Sequence, residues 1–331
     1  FQFGTIAALY PITRRRAEAG PRYTMGKKTG NKVMTAAEAV ERFVSDGATI
    51  GMGGQSIGRG SMALAHEIVR QGKKDLTLVG CNMALHMDIM VGAGLVKRTE
   101  CGTGNLERLG TTFRWRAAIE EGRLEVEDYS HLAMALRFLA GSLGLPFMPS
   151  KSLLGTDILN KKSFDGRKPF ALVDNPWNEG EPVVLLPALT PDVSIVHAQK
   201  ADEMGNVIIE GFTTQEPEMV KASKAVIVSC EEVVSTDEVR RDPDRTTIPY
   251  IFVDAVVEQP WGAYPTSTYR YYEHDEEQVT SYQALARAGG EPYAEYIQRS
   301  ILDCKDFDEY LRKTTSITRL DQLRSSMLRL L

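Results

Sequence analysis

The chain has 331 residues, 39 Lys and Arg against 44 Asp and Glu, and a formal net charge of −5. A 43% hydrophobic and 25% charged composition excludes disorder as the main state, and the mild acidity argues against a nucleic-acid partner, whose phosphates require a basic stripe. At about 150 residues per domain the length has room for two domains, and no run approaches the roughly 18 apolar residues that span a bilayer.

Residues 1–32 are basic, carry Arg14, Arg15 and Arg16, and show little apolar periodicity. They lack the apolar core of a secretory signal and read as an N-terminal arm or an added segment, with Met25 as a candidate natural start. Residues 33–331 read as one domain. It opens with Thr35 as N-cap and Glu38 three residues on, a capping box. Ala36, Val40, Phe43 and Val44 then share one helical face, and Gly47 stops the helix. The run ATIGMGG is a short strand leading into a glycine loop, and Ser61 to Gln71 is an amphipathic helix. DLTLVGC is a strand, HMDIMVGAG a short helix and LVKRTEC a strand. Phe113 to Glu121 is helical, LEVEDY is a strand-like edge, and Ser130 to Leu143 is helical.

The middle is looser. LGLPFMPSKSLLGTDI holds two bends, and the next stretch reads as hairpin and loop, with turns at Asp165-Gly166 and Asn175-Pro176. Strands resume at VVLLPAL, DVSIVHAQ and NVIIEG, the last two joined by a tight hairpin turn at Asp202 to Asn206. Glu216 to Ala222 is a short helix, KAVIVSC a buried strand, STDEVRRD a capped helix and VDAVVEQP a further strand. The segments DFDEYLRK and ITRLDQLRSSMLRLL are helical. This alternation predicts an α/β fold with a largely parallel sheet, right-handed crossovers and a small antiparallel excursion.

The four cysteines, Cys81, Cys101, Cys230 and Cys304, form no C-x-x-C pair and read as small buried residues in a reducing cytoplasm. The five histidines form no H-E-x-x-H or similar cluster, so no metal is expected. The most suggestive local motif is the loop Gly51 to Gly60. A dinucleotide fingerprint fails there, because Ser56 occupies the third glycine position and the next strand ends without an acid. A phosphate-binding P-loop fails for want of G-K-[ST]. Two readings stay open: a tight turn that needs glycine for itself, or a loop that approaches an anionic or acyl ligand. Arg59 adds either a solvated surface charge or a clasp for a carboxylate.

Several segments together carry a resemblance: ATIGMGGQSIGRG, GAGLVKRTECGTGNLE, LEVEDYS, LGLPFMPSKSLLGTD, PDVSIVHAQKADEMGNV, IVSCEEVVSTDEVRRDP and FVDAVVEQPWGAYPT. Over residues 33–320 the chain resembles the alpha-type subunit of the family I coenzyme A transferases of the glutaconate CoA-transferase kind. The resemblance implies an open, largely parallel sheet with helices on both faces, in one large domain. It implies CoA exchange between an acyl-CoA and a carboxylic acid through a glutamate nucleophile, with the coenzyme A thioester as substrate and no tightly bound cofactor. In the family that glutamate lies on the beta-type subunit, in an E-S-G or E-N-G-like loop. Neither Glu120-Glu121-Gly122 nor Glu179-Gly180 follows a buried strand into such a turn. This chain is therefore expected to hold no catalytic glutamate and to form a hetero-oligomer with a beta-type partner.

Gly53, Gly54, Gln55 and Ser56 match the family's Gly-Gly-x-[ST] position and are expected to wall the active site with backbone donors for the oxyanions. Arg59, at the family's Arg position, could hold the distal carboxylate of a dicarboxylic acid. Gly102, Thr103 and Asn105, at a strand end, form the expected second wall. Glu100, an acid beside that wall, reads as a strand-end carboxylate with a local hydrogen bond; the alternatives are a catalytic base in a hydrolase on the same scaffold, and a partner contact. Glu231-Glu232 reads as the start of a loop. Trp261, Tyr264, Tyr269, Tyr271 and Tyr272 read as a partner-facing aromatic group or as core. A non-catalytic scaffold protein is the third functional class left open.

Overall fold

The computed structural model describes residues 30–161 and 168–330. The expected arm up to residue 29 and the Asp165-Gly166 turn lie outside the described residues. The first helix follows from its cap. Thr35 Oγ1 accepts the Glu38 N–H at 3.2 Å and the Glu38 carboxylate accepts the Thr35 N–H at 2.9 Å, so two orphan donors are satisfied at once. The helix, α1 (Ala36–Phe43), buries Ala39 and Val40.

The rhythm then alternates. β1 (Thr49–Met52), α2 (Met62–Arg70), β2 (Leu76–Met83), α3 (Leu85–Gly92), β3 (Val96–Gly104), α4 (Phe113–Glu120) and β4 (Glu125–Asp128) build outward in parallel register. After α5 (His131–Ser142) comes the antiparallel excursion: β5 (Phe147–Ser150), β6 (Ala171–Asn175) and β7 (Asn178–Pro187), in the order β5-β7-β6. The chain returns to the main sheet with β8 (Val193–Asp202), which lies on the other side of β1. β9 (Val207–Ile208) folds back on β8 through the expected hairpin, in which Asp202 Oδ1 accepts the Asn206 N–H at 2.8 Å. α6 (Glu216–Ala222), β10 (Ala225–Val234), α7 (Thr236–Arg241) and β11 (Ala255–Glu258) complete the second half. Four helices close the chain: α8 (Glu276–Ala288), α9 (Gly290–Ile297), α10 (Phe307–Thr314) and α11 (Ile317–Leu330).

The main sheet has eight strands in the order β11-β10-β8-β1-β2-β3-β4, with β9 off this path on β8. Strand order reverses between β1 and β8, and such a switch point leaves a crevice outside the carboxyl ends of the strands. One core face packs α1, α2, α3 and the C-terminal helices, and the other packs α5, α6 and the small sheet. The fold is therefore the expected open α/β sheet with helices on both faces. Among the described residues no helix is long and apolar enough to cross a membrane.

The aromatic group falls to the core reading for three of its five residues, and the reading of Glu231-Glu232 is corrected. Trp261, Tyr264 and Tyr272 are buried and belong to the core, with Trp261 stacked on Tyr272 at 4.1 Å. The closing helices cover them, and Tyr264 donates to Asp275, which Arg319 of α11 also holds; Tyr269 alone of the group is clearly exposed. Glu231 and Glu232 do not begin a loop, because β10 runs on to Val234 and pairs with β8 through Asp202.

Candidate active site

The loop after β1 turns sharply on itself. Gln55 and Gly58 exchange N–H···O bonds of 2.9 and 2.8 Å. Gly54 has φ +82°, and a Cβ there would lie 2.4 Å from the Arg59 carbonyl oxygen, so only glycine fits. Ser56 and Arg59 themselves sit at φ 50° and 51°. Arg59 is buried. Its Nη2 pairs with Glu216 Oε1 at 2.7 Å and donates to the Phe212 carbonyl at 2.8 Å, while Nη1 donates to the His197 carbonyl at 3.1 Å. Glu216 Oε1 also accepts the Gly54 N–H at 3.1 Å, and Oε2 accepts the Thr214 N–H and hydroxyl at 2.7 and 2.9 Å. Burial pushes the Glu216 carboxyl up, but the Arg59 charge and the N–H donors outweigh it and hold it below its ordinary value.

Two expectations change at this loop. The Arg59 guanidinium is taken by this chain's own groups and is not displayed for a substrate carboxylate. The backbone donors are likewise taken: Gly53 N–H by Ile195, Gly54 by Glu216, Gln55 by Gly58, and Ser56 by Asn82 at 3.4 Å. Only the Gln55–Gly58 pair lies within the loop; Ile195, Glu216 and Asn82 outside it take the other three N–H groups. What is left over are side chains. Among the described residues the side-chain NH2 groups of Gln55 and Asn105 have no acceptor.

The two expected walls do meet. Ser56 Oγ donates to the Asn105 carbonyl at 3.2 Å, bridging the ends of β1 and β3 across the end of β2. Gly102 and Thr103 turn instead to the start of α5. The Thr103 hydroxyl lies 3.1 Å from His131 Nε2, and a Cβ on Gly102 would meet the same ring at 2.3 Å. Glu100 is not at a strand end, because β3 continues to Gly104; it is buried, and its Oε2 faces Arg137 Nη2 of α5 at 2.9 Å.

Sequence reasoning missed three residues here. Glu107 is exposed at the rim with φ 53°, and its Oε1 accepts from Asn82 Nδ2 at 3.4 Å. Asn82, the last residue but one of β2, is buried, and its Oδ1 has no partner. Glu216 is fully buried. An asparagine closing an apolar strand was a usable signal for Asn82, whereas nothing local marks Glu216. Cys81 and Cys101, near this rim, are no nucleophiles: burial pushes each thiol up to about 12. Glu231 is enclosed with His197 at 2.7 Å, which reaches Ser229 at 2.9 Å. That order suggests a hydrolytic relay, but Ser229 and His197 are fully buried, so no substrate reaches them. Among the described residues no three His, Cys, Asp or Glu stand close enough to hold a metal ion.

The family profile for coenzyme A transferase matches residues 33–259. The chain is 36% identical to the A-type subunit of glutaconate CoA-transferase from Acidaminococcus fermentans, over 89% of this chain and 95% of that one. The crystal structure of the glutaconate coenzyme A-transferase from that organism matches with a TM-score of 0.85, over 88% of this chain and 95% of that chain. Identity to the A-type subunit of the 3-oxoadipate CoA-transferase of Pseudomonas knackmussii is 34%, over 85% and 98% of the two chains. A protein of Archaeoglobus fulgidus is 38% identical over 90% of this chain, which spans 65% of its length.

Proposed function

Since the chain belongs to the coenzyme A transferase family, as an enzyme subunit similar to the A-type ones, we propose that it works with a beta-type partner to move CoA between an acyl-CoA and a carboxylic acid. The partner's glutamate attacks the thioester carbonyl and releases the CoA thiolate, giving a mixed anhydride. The thiolate then attacks the glutamyl carbonyl of the anhydride and expels the acyl group as its carboxylate, which leaves a glutamyl-CoA thioester. The acceptor acid reverses both steps. Oxyanions develop at each carbonyl and need fixed donors. With the loop's backbone N–H groups already bonded, the side-chain amides of Gln55 and Asn105 take that part in this chain. The observation that supports this is the Ser56–Asn105 bridge at 3.2 Å, which joins the two loops that carry these amides beside the switch point. A dicarboxylic acid as substrate is supported by the names of the two A-type relatives, since glutaconate and 3-oxoadipate are both dicarboxylates, and no longer by Arg59. A cytoplasmic assembly of two kinds of chain, without a tightly bound cofactor, goes with this chemistry.

The test is the co-purified complex incubated with an acyl-CoA and a labelled acid. Label moves into thioester, and hydroxylamine or borohydride marks the partner chain. A mark on Glu100 or Glu107 of this chain rejects the placement of the nucleophile. A second class, acyl-CoA hydrolysis, is favoured by one observation: Glu107 presents an exposed carboxylate at the rim. Free CoA appearing with no acyl exchange selects it. If Gln55→Ala and Asn105→Ala leave activity and affinity unchanged, this chain is a scaffold for a site held entirely by the partner.

A further inference from the structure

The loop from Gly53 to Gly60 is held in a strained shape by groups outside it. Two non-glycine residues, Ser56 and Arg59, lie in the left-handed region, which costs an L-residue energy unless its surroundings impose it. Ser267 and Thr266 accept the Arg59 and Gly60 N–H groups at 2.7 and 3.0 Å, and Glu216 is the charged group among those that impose it. One carboxylate oxygen takes the Gly54 N–H at 3.1 Å and Arg59 Nη2 at 2.7 Å, gripping the loop near both ends. The other takes Thr214 through its N–H and hydroxyl. Arg59 in turn donates to the carbonyls of His197 on β8 and Phe212. The β1–α2 loop, β8 and the β9–α6 loop are thereby locked together across the switch point, with the Phe212 side chain left 67% exposed.

An enclosed ion pair is a poor device for stability alone, because an apolar pair of similar volume is as a rule equally or more stabilising. What an apolar pair cannot supply is direction: one charged acceptor, Glu216 Oε1, that fixes both the Gly54 peptide and the guanidinium. We infer that Glu216, acting through Arg59 and the Gly54 N–H, is a positioning residue that holds the glycine loop, and with it Gln55 and Ser56, in the geometry CoA exchange requires. This rests on the transfer reading above for its activity arm, and on this chain alone for its structural arm.

The experiment uses the complex with its partner and two variants, Glu216→Gln and the double variant Arg59→Met/Glu216→Leu. In Glu216→Gln, amide hydrogen exchange over residues 53–60 accelerates by about 10-fold or more while the sheet stays protected. In the same variant kcat falls by about 10–100-fold with KM for acyl-CoA held within about 3-fold, as expected for misplacement rather than lost binding. The double variant keeps the low kcat and melts below wild type, because the Gly54 and Thr214 N–H groups and the His197 and Phe212 carbonyls lose these partners. Recovery of kcat in the double variant overturns the inference, as does loop exchange in Glu216→Gln equal to wild type. A wild-type complex that exchanges no CoA rejects the transfer reading instead, and the exchange arm then decides the clamp by itself.

Discussion

Asp88 shows what burial does to a single carboxyl in this protein. It sits on α3 with no exposed surface and accepts from the Trp115 N–H at 2.7 Å and the Tyr282 hydroxyl at 2.8 Å. Burial pushes its pKa up to about 6, against the pull of those donors and of Arg114. The folded chain thus holds the proton more tightly than the unfolded chain, where an aspartate titrates near about 4. The stability this proton gives is complete below about pH 4 and lost as pH rises through about 6, a change of about 3 kcal/mol. Asp88→Asn keeps an oxygen for Trp115 and offers an NH2 to the Tyr282 oxygen. Denaturant melts at pH 4 and pH 7 should move the variant-minus-wild-type difference by about 3 kcal/mol in the variant's favour. A difference that stays flat across that range rejects the assignment. At this scale sequence says which atoms are present and little about their partners. Arg59 is easy to pick out on a glycine loop, but the group that takes its charge lies 157 residues away. A buried acid beside Pro217 reads, locally, only as the first turn of a helix.

The strand β10 shows where element boundaries fail and why. Its apolar run ends at Cys230, and two glutamates follow, which reads as the end of a strand. Pairing nevertheless continues, with Glu232 opposite Lys200 and Val234 opposite Asp202. Glu231 can lie in the strand because it is fully engaged: Trp261 donates its N–H at 2.7 Å, His197 Nε2 lies at 2.7 Å, and the Tyr272 hydroxyl donates as well. These bonds tie β10 to the aromatic segment that looked like a surface group. The buried Thr268 hydroxyl donates to the Glu231 carboxylate too, at 3.4 Å, so removing the carboxylate takes an acceptor from four buried polar partners. Glu231→Ala should cost about 3–5 kcal/mol in a urea melt, and Glu231→Gln clearly less, since its carbonyl still accepts from Trp261. A loss under about 1 kcal/mol for the alanine variant would show that the network is not holding the segment. Helix α8 gives the opposite lesson. Its buried residues, Val279, Tyr282, Gln283 and Ala286, have helical spacing that was present to be read. Gln283 interrupts the apolar stripe, and it is buried because its NH2 satisfies the carbonyls of Leu109 and Thr111 at 2.8 and 3.2 Å. Long-range polar pairing of that kind leaves no trace in a local pattern.

At the scale of the whole molecule the sheet decides what the chain can do alone. The alternation of strands and helices gave the α/β class and the parallel sheet, because apolar periodicity is a local property. Strand order is not, and it is the placement of β8 against β1 that creates the switch point. Both faces of the sheet are covered by this chain's own helices, forming two apolar clusters. Both clusters thus lie within this chain, and the loops beyond the ends of β1 and β3 carry the half-buried Gln55 and Asn105 and the exposed Glu107. That separates two roles that composition alone could not. The isolated chain should melt in one cooperative transition with its helical signal intact, and should exchange no CoA. Adding the beta-type partner proposed above should then raise the melting point with concentration, by the equivalent of about 2.7 kcal/mol at a hundredfold excess over Kd. Loss of secondary structure without the partner would mean that the partner completes the core, and CoA exchange by the isolated chain would mean that the active site is whole without it. Because the two measurements are independent, they test separately whether this chain is half a fold and whether it is half a site.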